Sequence, residues 1–351
     1  MKILILILFF GFSNLIFSQE LENKDFKAKG KLVGKIFWNY NYNFAEDVKK
    51  TSSFEIKRSY FGYKYVIDKK FSVLISFDAG KGSEENSSYS AYLKKAKLEW
   101  KVASKVKLSL GIIGLKQFND QEKLWGYRYI YKSFQDEHKF GSSADLGVNA
   151  EIKILKMLKM NIFILNGEGY KKIQDEFGTH RIGFNFIAEP IENLYFKFYY
   201  DLMPNKYDKF NNDSIIADTS TISNLSFFAA YKTKKIRIGI EYNILKNGKK
   251  YNSPAENHNL YGLSAYFTYV INPKFEVFCR LDKLYSNTIE NEDEENNENW
   301  NAEEDGIGLI SGLQYTPIKN VKISINYRNW IYEDEDAKNN PSLFLNFCYK
   351  F

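Results

Sequence analysis

Counting back from Phe351, every second residue over 342–351 is large and apolar or aromatic: Phe351, Tyr349, Phe347, Leu345 and Leu343. Strict period two puts those five side chains on one face of a strand. A strand with one greasy face has to cover it. The chain offers no sustained helical period to do so; it repeats the same pattern instead, in segments of about ten residues divided by turn residues.

Several segments alternate plainly. Leu32, Ile36, Trp38, Tyr40 and Tyr42 share a face opposite Lys31, Lys35, Asn39 and Asn41. Phe71, Val73, Ile75 and Phe77 oppose Ser72, Ser76 and Asp78, and Ala96, Leu98 and Trp100 oppose Lys95, Lys97 and Glu99. Val106 to Ile112, Ile236 to Ile244 and Val321 to Tyr327 repeat the pattern, the last setting Lys322, Ser324, Asn326 and Arg328 against its apolar face. A polar face this charged does not suit the buried core of a sandwich. It suits a water-filled lumen. Residues 54–67 alternate poorly, and their register cannot be read from the pattern.

The connections alternate too. Short turns fall near 67–70, 102–105, 155–157, 189–193, 233–234, 272–274 and 316–320; longer polar loops fall near 44–52, 80–89, 115–143, 166–178, 204–221, 246–257, 286–304 and 333–340. Seven turns interleaved with eight loops predict sixteen antiparallel strands with both ends on the short-turn side. Closure follows from the solvent. In hydrocarbon an unpaired backbone N–H or C=O costs several kcal/mol, so an open sheet with two bare edges cannot stand in lipid while a closed one can. Lysine or arginine on the lipid face would add about 2–4 kcal/mol each near the midplane, and here most of them fall on the other face.

Met1-Lys2, an apolar run from Ile3 to Phe12 and a small residue before Gln19 predict a signal peptide over 1–18, cleaved after Ser18. The run is too short to span a bilayer as a helix, and no later stretch is long and apolar enough. A short segment over 19–28 then leads into a single barrel over 29–351. Aromatic residues make up 17% of the chain, with 26 Tyr and 29 Phe, as aromatic girdles at two membrane interfaces require. Two cysteines in an exported chain exclude a disulfide framework, and Cys279 and Cys348 fall on opposite faces of different strands. The formal net charge of +6 is small, so where the charges sit matters more than their sum.

The stretch Gln121-Glu122-Lys123-Leu124-Trp125-Gly126-Tyr127-Arg128-Tyr129-Ile130, continued by Lys132-Ser133-Phe134 and by Lys139-Phe140-Gly141-Ser142-Ser143-Ala144-Asp145-Leu146-Gly147-Val148, resembles a hallmark segment of the phosphate-selective porin O and P family in its Bacteroidetes branch. Phe54-Glu55-Ile56-Lys57-Arg58-Ser59-Tyr60-Phe61-Gly62-Tyr63 and Lys97-Leu98-Glu99-Trp100-Lys101 match the same family at the right distances. The resemblance implies a homotrimeric sixteen-stranded porin in the outer membrane of a Gram-negative bacterium. It implies passive passage of small anions such as phosphate past basic side chains, contact with outer-membrane lipid, and no cofactor. Phe347, Tyr349 and Phe351 resemble the terminal signal read by a barrel-assembly machinery.

Arg58, Lys95, Lys97, Arg181, Arg237, Arg280 and Arg328 are the candidate pore-lining cations, because positive charge in a lumen lowers the barrier for anions. The loop over 115–143 is expected to fold inward and bring Lys123, Arg128 and Lys132 to a constriction. Glu99, Glu151, Asp201, Glu241 and Asp282 also face the predicted lumen, so the alternative role for each cation is to pair with a carboxylate in the wall. The chain has only six arginines, and lysine lacks the planar fork that grips an oxyanion bidentately.

The acidic run from Glu290 to Asp305 lacks the glycine and spacing of a calcium loop and reads as solvated. His138, His180 and His258 show no metal spacing, and no nucleophile elbow or phosphate-cradling glycine loop appears. Nothing points to nucleic acid. A lipase-like barrel enzyme and an occluded structural or adhesin barrel are the alternatives to a channel.

Overall fold

The computed structural model describes residues 26–45, 52–82, 88–174, 178–204, 221–287, 304–334 and 336–351. The expected signal peptide, most of the segment over 19–28, the core of the acidic run and parts of five other long loops lie outside the described residues.

Sixteen described strands close into an antiparallel barrel. In chain order they are β1 (Lys29–Asn43), β2 (Ser52–Val66), β3 (Phe71–Lys81), β4 (Tyr89–Ala103), β5 (Val106–Gly114), β6 (Ala144–Leu155), β7 (Leu158–Leu165), β8 (Arg181–Ala188), β9 (Leu194–Met203), β10 (Ile222–Lys232), β11 (Ile236–Lys246), β14 (Leu260–Asn272), β15 (Phe275–Ser286), β16 (Gly306–Tyr315), β17 (Val321–Tyr332) and β18 (Ser342–Lys350). Each pairs with its neighbour in sequence, and β18 pairs back onto β1. The two remaining strands, β12 (Gly248–Lys250) and β13 (Ser253–Pro254), form a small hairpin in the connection between β11 and β14. Two short helices, α1 (Asn119–Trp125) and α2 (Phe134–Glu137), lie in the connection between β5 and β6.

The seam is where a barrel must solve its edge problem. Here Lys35 sits opposite Lys350, Trp38 opposite Phe347 and Asn43 opposite Ser342. The Trp38 and Phe347 rings stack with centroids 3.9 Å apart and planes 5° from parallel. Phe351 exchanges backbone hydrogen bonds with Gly34 in both directions, at 3.0 and 3.1 Å, extending the pairing to the last residue. The period-two apolar residues of the closing strand therefore face outward and stitch it to the first.

The faces follow the sequence. Leu32, Ile75, Ile238, Ile240, Leu281, Ile325 and Leu345 are exposed on the outside. Stacked aromatic pairs sit at both ends of that band: Phe71 with Trp100 and Phe275 with Tyr315 beside short turns, Tyr261 with Tyr285 beside long loops. Amphipathic rings at the two rims and aliphatic side chains between them match the layering of a bilayer. Cys279 is exposed, Cys348 is buried, and neither is bonded.

The poor alternation over 54–67 has a definite cause. Phe37 pairs with Arg58 while Trp38 pairs with Ile56, so Lys57 is an inserted residue, a bulge. The outward positions are even before it (Phe54, Ile56) and odd after it (Phe61, Tyr63, Tyr65), all exposed. A second bulge lies in β4, where Ser76 pairs with Lys95 and Phe77 with Leu93, leaving Lys94 inserted. These bulges re-aim cationic side chains, and no fixed period can reveal them.

Candidate functional site: the barrel interior

The loop over 115–143 folds inward. Its aromatic residues, which on an outer loop would face water, are buried: Phe118, Trp125, Tyr127, Tyr129, Phe134 and Phe140 are all 3% exposed or less. They cross the lumen to the far wall. Trp125 packs on Tyr266 of β14 and Phe278 of β15. The Tyr127 hydroxyl donates to Glu276 at 2.7 Å and the Tyr129 hydroxyl to Gln314 at 2.9 Å. Gln135 donates to Ser226 and to Glu241, both at 3.1 Å. Phe134 presses onto Gly262, where an added Cβ would overlap its ring, so this close approach requires glycine.

Charged residues of the wall serve as anchors for the same loop. The Arg280 guanidinium pairs with Asp282 at 2.7 Å and donates to the Lys132 carbonyl at 2.6 Å. Lys197 reaches the carbonyls of Lys116 and Gln117 and the Asp120 carboxylate. Burial works to raise the Asp120 carboxyl, but Lys197, Lys123 and Lys116 together hold it below the usual range. Arg181 pairs with Asp201 and donates to the carbonyl of Tyr251, whose ring lies 3.7 Å from the guanidinium carbon. Tyr251 belongs to the connection carrying β12 and β13, so a second loop is drawn in behind the first.

The ten sequence-derived cations thus divide. Arg58 pairs with Asp78, Lys97 with Glu99, Lys123 with Asp120, and Arg128 with both Glu122 and Asp136. Lys132 pairs with Glu137, Arg181 with Asp201, Arg237 with Glu276 and Arg280 with Asp282. Arg181 and Arg280 are enclosed and touch no open space. Arg328 donates to Asn326 and Asn346, both at 2.8 Å, and stacks on Phe344. Of the ten, only Lys95 points to open space with no partner among the described residues.

The interior is accordingly lopsided. Inward side chains of β8 to β16 are packed under the loop: Asn185, Asp201, Ser226, Asn243, Thr268 and Gln314 are all buried. Inward side chains of β1 to β4, such as Lys31, Lys35, Ser72, Leu74 and Ser76, keep contact with solvent. On that side a cavity of about 470 Å³ lies between the wall and the loop, bordered by Asn119, Glu122 and Arg128 from the loop. The wall contributes Lys31, Lys35, Lys95, Lys322 and Lys350, none of which pairs with a carboxylate of the described residues. Beside them, Lys94 is held by Asp78 at 3.0 Å and lies over the rings of Tyr60 and Tyr170. The polar faces of β1 and β17 already carried Lys31, Lys35 and Lys322 in the sequence. Lys94 had no such signal, because the bulge sets its direction.

Among the histidines, His138 sits inside the loop between Phe134 and Trp330. Burial pushes its imidazole down to about 4, with Arg280 and Lys132 acting in the same direction against Asp282 and Glu137. His258 lies in the β11–β14 connection against the Glu256 carbonyl.

Solved structures share this architecture. The outer-membrane channel DcaP of Acinetobacter baumannii superposes with a TM-score of 0.68 at 12% identity, covering 92% of this chain and 97% of DcaP. Salmonella typhi OmpF gives 0.65 at 13%, covering 92% and 98%, and Pseudomonas putida OprB gives 0.62 at 9%, covering 92% and 94%. The fold is that of an outer-membrane porin. No protein-family model matches the sequence, and no curated protein sequence does. At such identities the likeness is one of fold, and the family resemblance read from residues 121–148 stays a reading of the sequence.

Proposed function

We propose that the chain is a passive outer-membrane channel for small hydrophilic solutes that favours anions, working in a Gram-negative bacterium as a homotrimer, without a cofactor and without catalysis. The observation that carries this reading is the group of five lysines, Lys31, Lys35, Lys95, Lys322 and Lys350, facing open space with no carboxylate partner. An unneutralised positive field in a narrow, low-dielectric passage raises the local concentration of anions and repels cations. The porin fold of DcaP, OmpF and OprB and the family resemblance of residues 121–148 support the same reading. Membership of the phosphate-selective O and P family belongs to this proposal. So do export through a signal peptide over 1–18 and recognition of Phe347, Tyr349 and Phe351 by an assembly machinery.

The test is reversal potential in a planar bilayer under a potassium chloride gradient. Chloride preference is expected, and the triple variant K35E/K95E/K322E should turn the channel cation-selective. Cation preference in the unaltered protein would remove the anion reading. The packed half of the lumen favours a second reading, an occluded structural barrel, and absence of any conductance would select it.

A further inference from the structure

The cavity beside the lysines is poorly built for a bare oxyanion. Inorganic phosphate is gripped best by arginine forks and convergent hydrogen-bond donors. Both arginines near this cavity are already engaged, Arg58 by Asp78 and Arg128 by Glu122 and Asp136. Glu122 itself borders the space and would repel an anion seated close to Arg128.

The remaining lining is of two kinds. Lys35, Lys95, Lys322 and Lys350 supply unpartnered ammonium groups. Between them the wall is apolar: Val33, Phe37 and Leu74 border the same space, with the rings of Tyr60 and Tyr129. The register explains why these share one surface. Val33 lies opposite Gly62, Gly62 opposite Ser76 and Ser76 opposite Lys95, so a row runs from an apolar side chain across two minimal ones to a cation. At about 470 Å³ the space is in the range of pockets that hold small organic molecules, and far exceeds what one tetrahedral ion fills.

We infer that this cavity is a binding subsite for organic anions with an apolar body, such as aryl or branched alkyl phosphates and carboxylates, in preference to inorganic phosphate. The head group exchanges water for lysine ammonium groups while the body covers Val33, Leu74 and the half-buried Tyr60 ring, gaining the burial that a hydrated inorganic ion cannot. The inference rests on the anion reading above, and the experiment separates the two.

The experiment is calorimetric titration of the detergent-solubilised protein with phenyl phosphate and with inorganic phosphate at the same pH and ionic strength. Phenyl phosphate should bind at least tenfold more tightly. L74N and V33T should each weaken phenyl phosphate severalfold and leave inorganic phosphate unchanged; K95Q should weaken both. Heat-shifted migration in gel electrophoresis verifies that each variant is folded. Equal affinities for the two probes would overturn the inference, as would indifference of phenyl phosphate binding to both L74N and V33T. Because calorimetry does not depend on conduction, a cation-selective or silent bilayer would sink the channel proposal alone, and equal affinities in an anion-selective channel would sink this one alone.

Discussion

Arg280 and Lys95 are both inward-facing cations, yet they do opposite work. Arg280 is enclosed, with its charge met by Asp282 and its remaining donors turned to the Lys132 carbonyl. Removing one member of such a pair leaves the other charge buried and uncompensated. Arg280→Ala should therefore cost about 3–5 kcal/mol, read as a lower urea midpoint for the folded barrel in detergent micelles. Lys95→Ala leaves no buried partner charge uncompensated and should move that midpoint much less, while reducing the proposed anion preference. The sequence made both residues visible as lumenal cations. It could not sort them, because pairing depends on which carboxylate stands on the neighbouring strand or on the loop that comes to lie beside it. Arginine is the more eye-catching residue for anion recognition, but its planar fork makes it equally suited to clamp a carbonyl and a carboxylate, and this interior uses it mainly so.

At the scale of elements, strands were legible wherever the period ran unbroken and illegible where a bulge shifted it. The outward faces of β1, β3 and β17 could be read from the period, although Val33, Phe37 and Leu74 turn apolar side chains inward against it; β2 could not, since Lys57 inverts the parity halfway along. The inward loop was legible as an expectation from its aromatic content; its anchor points were not, because they join residues up to 185 positions apart. Two predictions belong to this scale. Gly262→Val would put side-chain carbons where the Phe134 ring now lies. The loop should lose its seat and single-channel conductance should rise, while the barrel keeps its heat-shifted migration. His138 supplies the other. Its imidazole is held neutral in the docked loop, with the folded value near 4 against an ordinary 6.5. Its contribution to docking is thus complete above about pH 6.5 and declines as pH falls toward 4, since the undocked loop takes up the proton first. Conductance recorded across that window should become noisier in the unaltered protein, and His138→Phe should flatten the change.

For the whole molecule, an outward apolar band and an inward polar face demand different solvents on the two sides of one sheet, and this held from pattern alone. How much of the lumen stays wet did not follow. Sixteen strands enclose an aqueous channel only if nothing fills it, and here two loops fill the side of β8 to β16. The seam can be tested as a property of the whole. Trp38→Ala removes the stack on Phe347, worth about 0.5–1.5 kcal/mol beyond the area lost, and should lower the temperature at which the folded band disappears in gel electrophoresis. No change in that temperature would show that the stack does not hold the closure.

The lysine cluster straddles that seam. Lys31 and Lys35 arrive with the first strand, Lys322 and Lys350 with the last two, and Lys95 with the fourth. Their mutual repulsion opposes the final zippering step, which backbone pairing and aromatic stacking must overcome. A sheet open at this seam would divide the cluster, with Lys31, Lys35 and Lys95 near one edge and Lys322 and Lys350 at the other. The concentrated positive potential on which the proposed selectivity rests comes into being at the same instant as the wall that separates inside from out.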